Sequence, residues 1–542
     1  MKAVAILAAI ALVVAIPFLL KPKEQLLSTA DDTLVIITPH NEAIRYEFGR
    51  AFAKAWKQQT GRTVLIDWRT PGGTSEIARY LEGEFFNAFQ NYWTSTGNTW
   101  DLKVAGAFAS RTLQLPADPS ADTPAESARR AFLDSDVSSG IDIFFGGGAY
   151  EFTQQARKGF LIPSTILKTH PEWFTPDSLP QVVSGEPFYD TQGRWIGAVV
   201  SSFGVCYNTD SLREIGFQSL PSGWQDLTSP LLRRQVALAD PTKRGSANKA
   251  FEMIIQQQMQ EQLAAGLPKE QALSTGWQAG MEIIQKAAAN ARYFTDSAAK
   301  VPVDVAQGEA AIGMCIDFYG RFQSEAVKLG NTPSRLQYFT PVGGSSVGVD
   351  PIGILRGAPN RDVAEAFLAY VLSIDGQKLW NFEVGSPGGP VRYALRRLPV
   401  RKELYSASYT RYRSDPTVFP YKEAADFTYH PEWTGPLFRV IGFIVRTAFV
   451  DPHDELTAAW DHLIATDFPS QAAREFTDLS AVSYQEAFRM RQILKSPNPM
   501  EEIVLARQLS QHFRDQYHKA SKSADANVDS TAEAPTSSQQ TP

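Results

Sequence analysis

The chain has 542 residues, 43% hydrophobic and 20% charged, with 52 Lys and Arg against 58 Asp and Glu for a formal net charge of -6. That length buries more than one core and asks for two or three domains, while the acidic balance excludes a broad basic surface for nucleic acid. Two cysteines, Cys206 and Cys315, are too few for a disulfide scaffold or a cysteine zinc site; they lie in apolar strand-like runs and are read as buried thiols, with a single disulfide as the other reading.

Residues 3–20 carry no charge and are flanked by Lys2, Lys21 and Lys23; at 1.5 Å per residue such a run would span about 27 Å. It suits an export signal or a single anchor, and the small residues Ser28, Thr29 and Ala30 leave cleavage open. A strand at 34–38 then leads into a helix with Ile44, Phe48, Phe52, Ala55 and Trp56 on one face. A second strand at 64–68 and a second helix from Thr74 give the strand, helix, strand, helix order of a parallel α/β sheet. From about 87 to 139 the pattern breaks down into Ser, Thr, Ala, Asp and Pro, as a surface insertion does.

Order returns at 141–145, before Gly146, Gly147 and Gly148 and a helix through Phe152. The run WIGAVVSSFGVCY at 195–207 is long enough to pass from one lobe to another, and 223–338 supplies a second α/β unit. A strand and helix at 349–372 read as a return to the first lobe, and helical patterns continue at 436–449, 456–464 and 499–518. Residues 521–542 have no aromatic side chain and are expected to be disordered. Trp56, Trp224, Trp380 and Trp460 fall in helical or turn contexts and are read as core.

Four apolar runs empty into small polar residues: IITPHN at 36–41, IDWRTPGGTSE at 66–76, VALADPTKRGSAN at 236–248 and VDVAQGEAAIGMCIDFYGRF at 303–322. In open α/β sheets ligands bind at the carboxyl ends of strands, where helix N-termini present unpaired N–H groups. The candidate ligand residues are therefore His40, Asn41, Gly72, Gly73, Thr74, Ser75, Glu76, Gly147, Gly148, Ser201, Ser202, Asp240, Thr242, Ser246, Asn248, Asp317 and Tyr319. Each has a plainer reading beside it: His40 as a helix cap, Glu76 as a first-turn carboxylate favoured by the helix dipole, the three glycines as a strand-to-helix turn. No P-loop or dinucleotide fingerprint is present. Gly344-Ser345-Ser346-Val347-Gly348, followed by Asp451 and His462, fits a serine hydrolase order, but the residues after it read as a strand where a nucleophile elbow needs a helix.

The phrases DIFFGGGAYEFTQQARKGFL (142–161), SFGVCYNTDSL (202–212), GWQDLTSPLLRRQVALADPTKRGSANKAFEMI (223–254), GEAAIGMCIDFYGRF (308–322) and GILRGAPNRDVAEAFLAYVLSIDGQKLW (353–380) resemble, in the same order, extracytoplasmic solute-binding proteins of ABC importers, of the class that includes ferric-ion binders. The resemblance implies a two-lobed α/β periplasmic-binding-protein fold, type 2 like, with a large insertion and a helical C-terminal extension. Lobe one is expected at 33–200 plus 342–390 (insertion about 87–139) and lobe two at 203–338, with hinge strands near 199–207 and 339–349. Residues 1–30 are the signal or anchor, 391–520 a helical extension packing on lobe one, and 521–542 a disordered tail.

The same resemblance implies a non-enzymatic protein in the periplasm or on the outer face of the inner membrane, exported or anchored by residues 1–23, that hands a solute to an ABC permease. Ferric-binding relatives hold their metal with two adjacent tyrosines, a histidine after the first strand and a glutamate in the second loop. His40 and Glu76 stand at similar places, but the tyrosine pair falls on Phe318 and Tyr319, so one phenolate is kept and Asp317 is the candidate replacement. A ferric ion or metal complex held by His40, Glu76, Asp317 and Tyr319 is thus one ligand; no cofactor is required. The other is a small organic or phosphate-bearing anion at 72–75 and 242–248, with Lys243 and Arg244 nearby. A membrane-tethered sensor or scaffold that kept the fold is the alternative function, and a serine hydrolase the minor one.

Overall fold

The computed structural model describes residues 30–532 apart from Arg244 and Asn331; the apolar segment at 1–23 and residues 533–542 lie outside the described residues. Strand β1 (Asp32–Ile37) enters helix α1 (Glu42–Thr60) through Asn41, whose side chain accepts from the Ile44 N–H. Ile44, Phe48 and Phe52, four apart, are buried against the sheet, and the helix stops at Gly61 in the left-handed region. Strand β2 (Val64–Arg69) runs parallel to β1 in register Asp32↔Val64 to Ile37↔Arg69 and leads into α2 (Thr74–Ser95).

Residues 87–139 are more ordered than their composition implies. Helix α2 continues to Ser95 with Phe85, Phe89 and Trp93 buried at intervals of four, and two further helices follow, α3 (Leu102–Ala107) and α4 (Pro124–Asp134). A capping box between Thr123 and Glu126 starts α4. Phe89 stacks on Phe108 at 5.1 Å and meets Phe132 edge-on at 5.3 Å, so this segment shares the core of the first sheet. Asp101 and Thr123 cap α3 and α4 and Pro124 opens α4, which is why the segment looks irregular in sequence.

Strand β3 (Ile143–Phe145) is parallel to β1, and α5 (Ala149–Lys158) follows it. After β4 (Leu161–Ile162) and a two-stranded hairpin, β5 (Val182–Val183) with β6 (Glu186–Pro187), the run at 195–207 divides into β7 (Ile196–Ser201) and β8 (Phe203–Asn208). Only Ser202 separates them, yet they belong to different sheets.

Around β8 the second sheet takes β9 (Val236–Ala239), α6 (Gly245–Ala264), α7 (Lys269–Ala289), β10 (Ala291–Thr295), α8 (Lys300–Gln307), β11 (Ile312–Ile316), α9 (Asp317–Ala326) and β12 (Leu336–Phe339). Its order is β10-β9-β11-β8-β12. The chain then returns as β13 (Gly348–Leu355), α10 (Arg361–Leu372), α11 (Ile374–Asn381) and β14 (Leu398–Pro399), completing a seven-stranded sheet ordered β14-β7-β13-β3-β1-β2 with β4 on β13. Two sheets, each with its own core and joined by two crossings, make the fold a two-lobed α/β one.

The extension departs from expectation in two ways. Residues near β14 stay with lobe one, where Leu395, Leu398 and Val400 are buried, but the helices beyond 431 pack on lobe two. These are α12 (Phe438–Val445), which continues in a π-helical turn to Val450, α13 (His453–Ala465), α14 (Ser470–Phe476), α15 (Tyr484–Ile493) and α16 (Pro499–Ala532). The reason lies in α7, whose Trp277, Met281, Ile284 and Ala288 form an apolar face that Phe449, Trp460, Phe476 and Tyr517 cover. Polar atoms in that interface are matched as well: Trp277 Nε1 donates to the Val482 carbonyl at 2.9 Å and Trp460 Nε1 to Asn290 Oδ1 at 2.8 Å. Residues 431–450 are apolar and long enough to cross a membrane, yet Val440, Ile441 and Ile444 are buried in this lobe-two core.

The second departure is the tail. Helix α16 runs through Ala532, so residues 521–532 are helical where disorder was expected. Tyr517, Ala520 and Ala524 are buried on one face, an alanine stripe that a search for large apolar side chains does not detect.

Candidate binding cleft

In sheet one β1, β2 and β3 all end on one edge, and there β7 finishes at Ser201 opposite Gly348, where β13 begins. In sheet two β11 ends at Ile316 opposite Phe203, the start of β8, and β12 ends at Phe339 opposite Val205. Ser202 and residues 340–347 connect these two edges directly. The carboxyl ends of both sets of strands therefore face each other across a cleft, the place where open α/β sheets bind ligands.

On lobe one the edge is built around His40. Thr38 Oγ1 donates to the Phe145 carbonyl at 2.6 Å and accepts from the His40 N–H at 3.1 Å. The imidazole is buried, edge-on to Phe145 at 4.5 Å and to Trp380 at 5.9 Å, and Asn41 rather than His40 caps α1. Gly146 (φ 89) and Gly147 (φ 111) lie in the left-handed region, and a Cβ would sit 2.4 Å from the His40 ring at the first and 2.6 Å from Thr74 at the second. The triple glycine thus brings β3's exit close to both His40 and Thr74.

Among the described residues, three helices start on this cleft without a side-chain cap: α2 at Gly73, α5 at Gly148 and, on lobe two, α9 at Ile316. Their first N–H groups have no partner within the helix. Glu76 pairs with Arg79 of its own helix at 3.0 Å.

Lobe two's other loop is largely committed to structure. The Asp240 carboxylate accepts from the Thr242 N–H at 2.8 Å and hydroxyl at 2.6 Å, and Asn248 Nδ2 donates to the Phe438 carbonyl at 2.6 Å. Ser246, Phe203, Ala247, Phe251, Met314 and Ile316 line an apolar cavity of about 20 Å³, room for a water at most.

The hinge holds a polar centre that sequence reasoning did not find. Arg397, 1% exposed, donates to Ser201 Oγ at 2.7 Å and to the Asp350 carboxylate, and its Nη1 lies 3.4 Å from His40 Nε2. Its guanidinium also sits 4.2 Å from the centre of the Phe318 ring, a lobe-two side chain, so Arg397 touches both lobes. Beside it Asp317 pairs with Arg321, and Asp415 pairs with Arg396 at 2.6 Å and approaches Arg321 at 3.8 Å. Ser202 Oγ meets Thr340 Oγ1 at 3.3 Å, and Tyr319 is half-buried with its ring 4.2 Å from Phe318.

Burial, then the charges of Arg397 and Arg45, hold His40 well below the ordinary imidazole range, so it is neutral. Burial raises Asp350 although Arg397 opposes it. Burial works against the charge on Arg321, but Asp317 and Asp415 outweigh it and leave its pKa raised. The signal in the sequence for this centre is a pair of arginines, Arg396 and Arg397, inside the apolar run from Leu395 to Val400.

The structure brings His40, Thr74, Gly147 and Gly148 together on one edge, and Ser201, Ser202, Asp317 and Tyr319 around the first crossing. Asp240, Thr242 and Asn248 are engaged in the turn and the extension contact. Among the described residues no three His, Cys, Asp or Glu side chains gather as a metal ion needs, and His40, Glu76 and Asp317 are not assembled into one ligand set. The hydrolase order fails too: Ser346 is buried, its hydroxyl donates to Glu186 at 2.8 Å, and β13 follows it.

Residues 137–401 match the family model of the bacterial extracellular solute-binding protein, a stretch that contains both crossings and all of the second sheet. An uncharacterized protein of Haemophilus influenzae is 27% identical over 244 residues, 44% of this chain and 60% of that protein. The phosphoglycerate transport regulatory protein PgtC of Salmonella typhimurium is 23% identical over 213 residues, 39% of this chain and 47% of that protein. The chain thus spans between about half and three-fifths of the length of these curated relatives. Among solved structures, the periplasmic binding protein AfuA from Actinobacillus pleuropneumoniae with fructose-6-phosphate bound is 16% identical, covers 78% of this chain and 99% of that one, and has a TM-score of 0.46. Iron-bound HitA from Pseudomonas aeruginosa is 16% identical, with 76% and 99% covered and a TM-score of 0.44.

Proposed function

From its kinship with bacterial extracellular solute-binding proteins, we propose that this chain captures a small anionic solute between its lobes outside the cytoplasm and presents it to an ABC permease. The observation that carries the choice of an anion is the set of three uncapped helix starts on the cleft, at Gly73, Gly148 and Ile316. Each has first-turn N–H groups with no partner inside the helix, although at α9 the Asp317 N–H donates to the Ser202 carbonyl at 3.0 Å, and the helix dipole adds about 0.3–1 kcal/mol per terminus for a negative charge. Thr74, Ser75, Gly147 and Gly148 are the lobe-one contacts, and Tyr319 with the first turn of α9 the lobe-two contacts. Arg397 orients Ser201 beside neutral His40, its own charge paired with Asp350. No side chain of the cleft is assigned a catalytic step.

A second reading is favoured by one observation, the regulatory name of the Salmonella relative: a tethered sensor that reports on a solute such as phosphoglycerate. Both readings share the cleft and differ in the partner. Isothermal titration of the exported protein with 3-phosphoglycerate and with inorganic phosphate, repeated on Thr74→Val, tests the shared part. Heat of binding that weakens in the variant is expected. Stoichiometric iron in the purified protein with no response to either anion would refute the anionic assignment. A permease and ATPase encoded beside the chain separate the importer from a sensor paired with a histidine kinase.

A further inference from the structure

A third connection between the lobes passes through residues 424–434. On lobe one this strap lies against the β5–β6 hairpin, itself tied to sheet one where the Gly197 N–H donates to the Phe188 carbonyl at 2.7 Å. The Tyr429 N–H donates to the Ser184 carbonyl at 2.7 Å, Ser184 Oγ donates to the Ala424 carbonyl, and a Cβ at Gly185 would sit 1.9 Å from the Tyr429 carbonyl oxygen.

On lobe two the strap runs along α6, where Glu252, Gln256 and Gln260 recur every four residues on one face. Glu252 accepts from Tyr429 Oη at 3.0 Å and Thr434 Oγ1 at 2.6 Å. Gln256 donates to the His430 carbonyl at 2.9 Å and accepts from its N–H at 2.8 Å, while Gln260 accepts from the Thr428 N–H at 3.3 Å. Glu252 and Gln256 have no exposed surface.

Lys249 joins the two sides. Its ammonium lies 2.8 Å from Glu186 of the hairpin, 2.9 Å from Glu252 of its own helix and 3.4 Å from the centre of the Tyr429 ring. Ser346, on the second crossing, also donates to Glu186. A hairpin of lobe one, a helix of lobe two, a crossing and the strap thus meet at one cation, whose side chain is 19% exposed while its partners Glu186 and Glu252 are buried. A buried pair of this kind is strongly disrupted when one partner is removed, so the lobes cannot separate here without exposing or stranding charge. A second bridge lies at the mouth of the cleft, where Tyr150 of α5 meets Phe438 of α12 at 4.7 Å.

We propose that the strap at 424–434, locked through Lys249 between Glu186 and Glu252, is a latch that holds the two lobes at one angle, so that the chain itself and not the solute sets the closure of the cleft. This goes beyond the solute reading and does not depend on it, since every contact of the latch is between this chain's own residues.

The test is a lobe-to-lobe distance in the full chain without ligand. Spin labels are placed on exposed sites by Lys54→Cys in α1 and Lys269→Cys in α7; native Cys206 and Cys315 are buried, which directs labelling to the new sites. Double electron–electron resonance on this parent is expected to give one narrow distribution. Adding Lys249→Met with Glu186→Gln, which leaves Glu252 bonded to Tyr429 and Thr434, is expected to add a component at longer distance. A parent that is already broad overturns the proposal, and so does a double variant as narrow as the parent. Should circular dichroism show the double variant unfolded, Ser346→Ala carries the same comparison: a broadened distribution supports the latch and an unchanged one overturns it.

Discussion

Replacing Gly146 by Ala tests the cleft edge most directly. The backbone there has φ 89, which costs a side-chain-bearing residue roughly 1–2 kcal/mol. The new Cβ would also lie 2.4 Å from His40, whose ring cannot retreat because Phe145, Trp380 and Arg397 surround it. Overpacking of that kind adds about 1–3 kcal/mol. Gly140→Ala is the control, because its φ of 70 carries the same backbone penalty while nothing lies within 4 Å of its Cβ. The difference between the two variants, about 1–3 kcal/mol, isolates the close approach to His40. Hydrogen exchange of peptides covering β1 and β3 is the assay, since it reads lobe one separately from lobe two. Protection in Gly146→Ala is expected to fall on the order of tenfold or more below that in Gly140→Ala. Equal protection in the two variants would refute the account of the glycine turn as packed against the imidazole.

Other consequences follow from the buried groups. Because His40 is neutral in the fold and its pKa is depressed, the unfolded chain binds its proton more readily. Its contribution to stability is complete above the unfolded imidazole range and is lost as pH falls through it, so the thermal midpoint should drop between about pH 7 and 5. His40→Gln should flatten that drop, and an unchanged slope would rule His40 out as its source. Arg397→Met strands Asp350 and should destabilise lobe one by about 3–5 kcal/mol, whereas Arg397→Met with Asp350→Leu should recover part of the loss; denaturant midpoints that rank the double below the single would contradict this. Tyr517→Ala removes a fully buried ring that donates to the Ala448 carbonyl at 3.0 Å and should cost about 3–5 kcal/mol. The loss should appear in exchange of α7 and α13 peptides and leave β1–β3 peptides untouched; an effect confined to β1–β3 would mean that α16 does not belong to lobe two.

The sequence by itself determined the local elements and the character of the cleft edge. Spacing of Ile44, Phe48 and Phe52 makes α1, and the glycines at 146–148 mark a strand-to-helix turn, because helix period and turn chemistry are settled within a few residues; that Asn41 rather than His40 caps α1, and that Gly146 and Gly147 admit no side chain, came from the structure. The α/β class was legible for the same reason, from alternating strands and helices, whereas the two-lobed arrangement was what the resemblance of the ordered motifs implied. What the tertiary structure decided was which distant groups meet. Arg397 finds Asp350 and Ser201, and Lys249 finds Glu186, because folded sheets bring them together across long stretches of chain. The extension covers α7 rather than lobe one because burying that helix's apolar face favours it, and at the start of the expected tail Ala520 and Ala524 are buried in the lobe-two core. Composition records apolar content but not the partner surface, so these pairings exist only once the whole chain has packed.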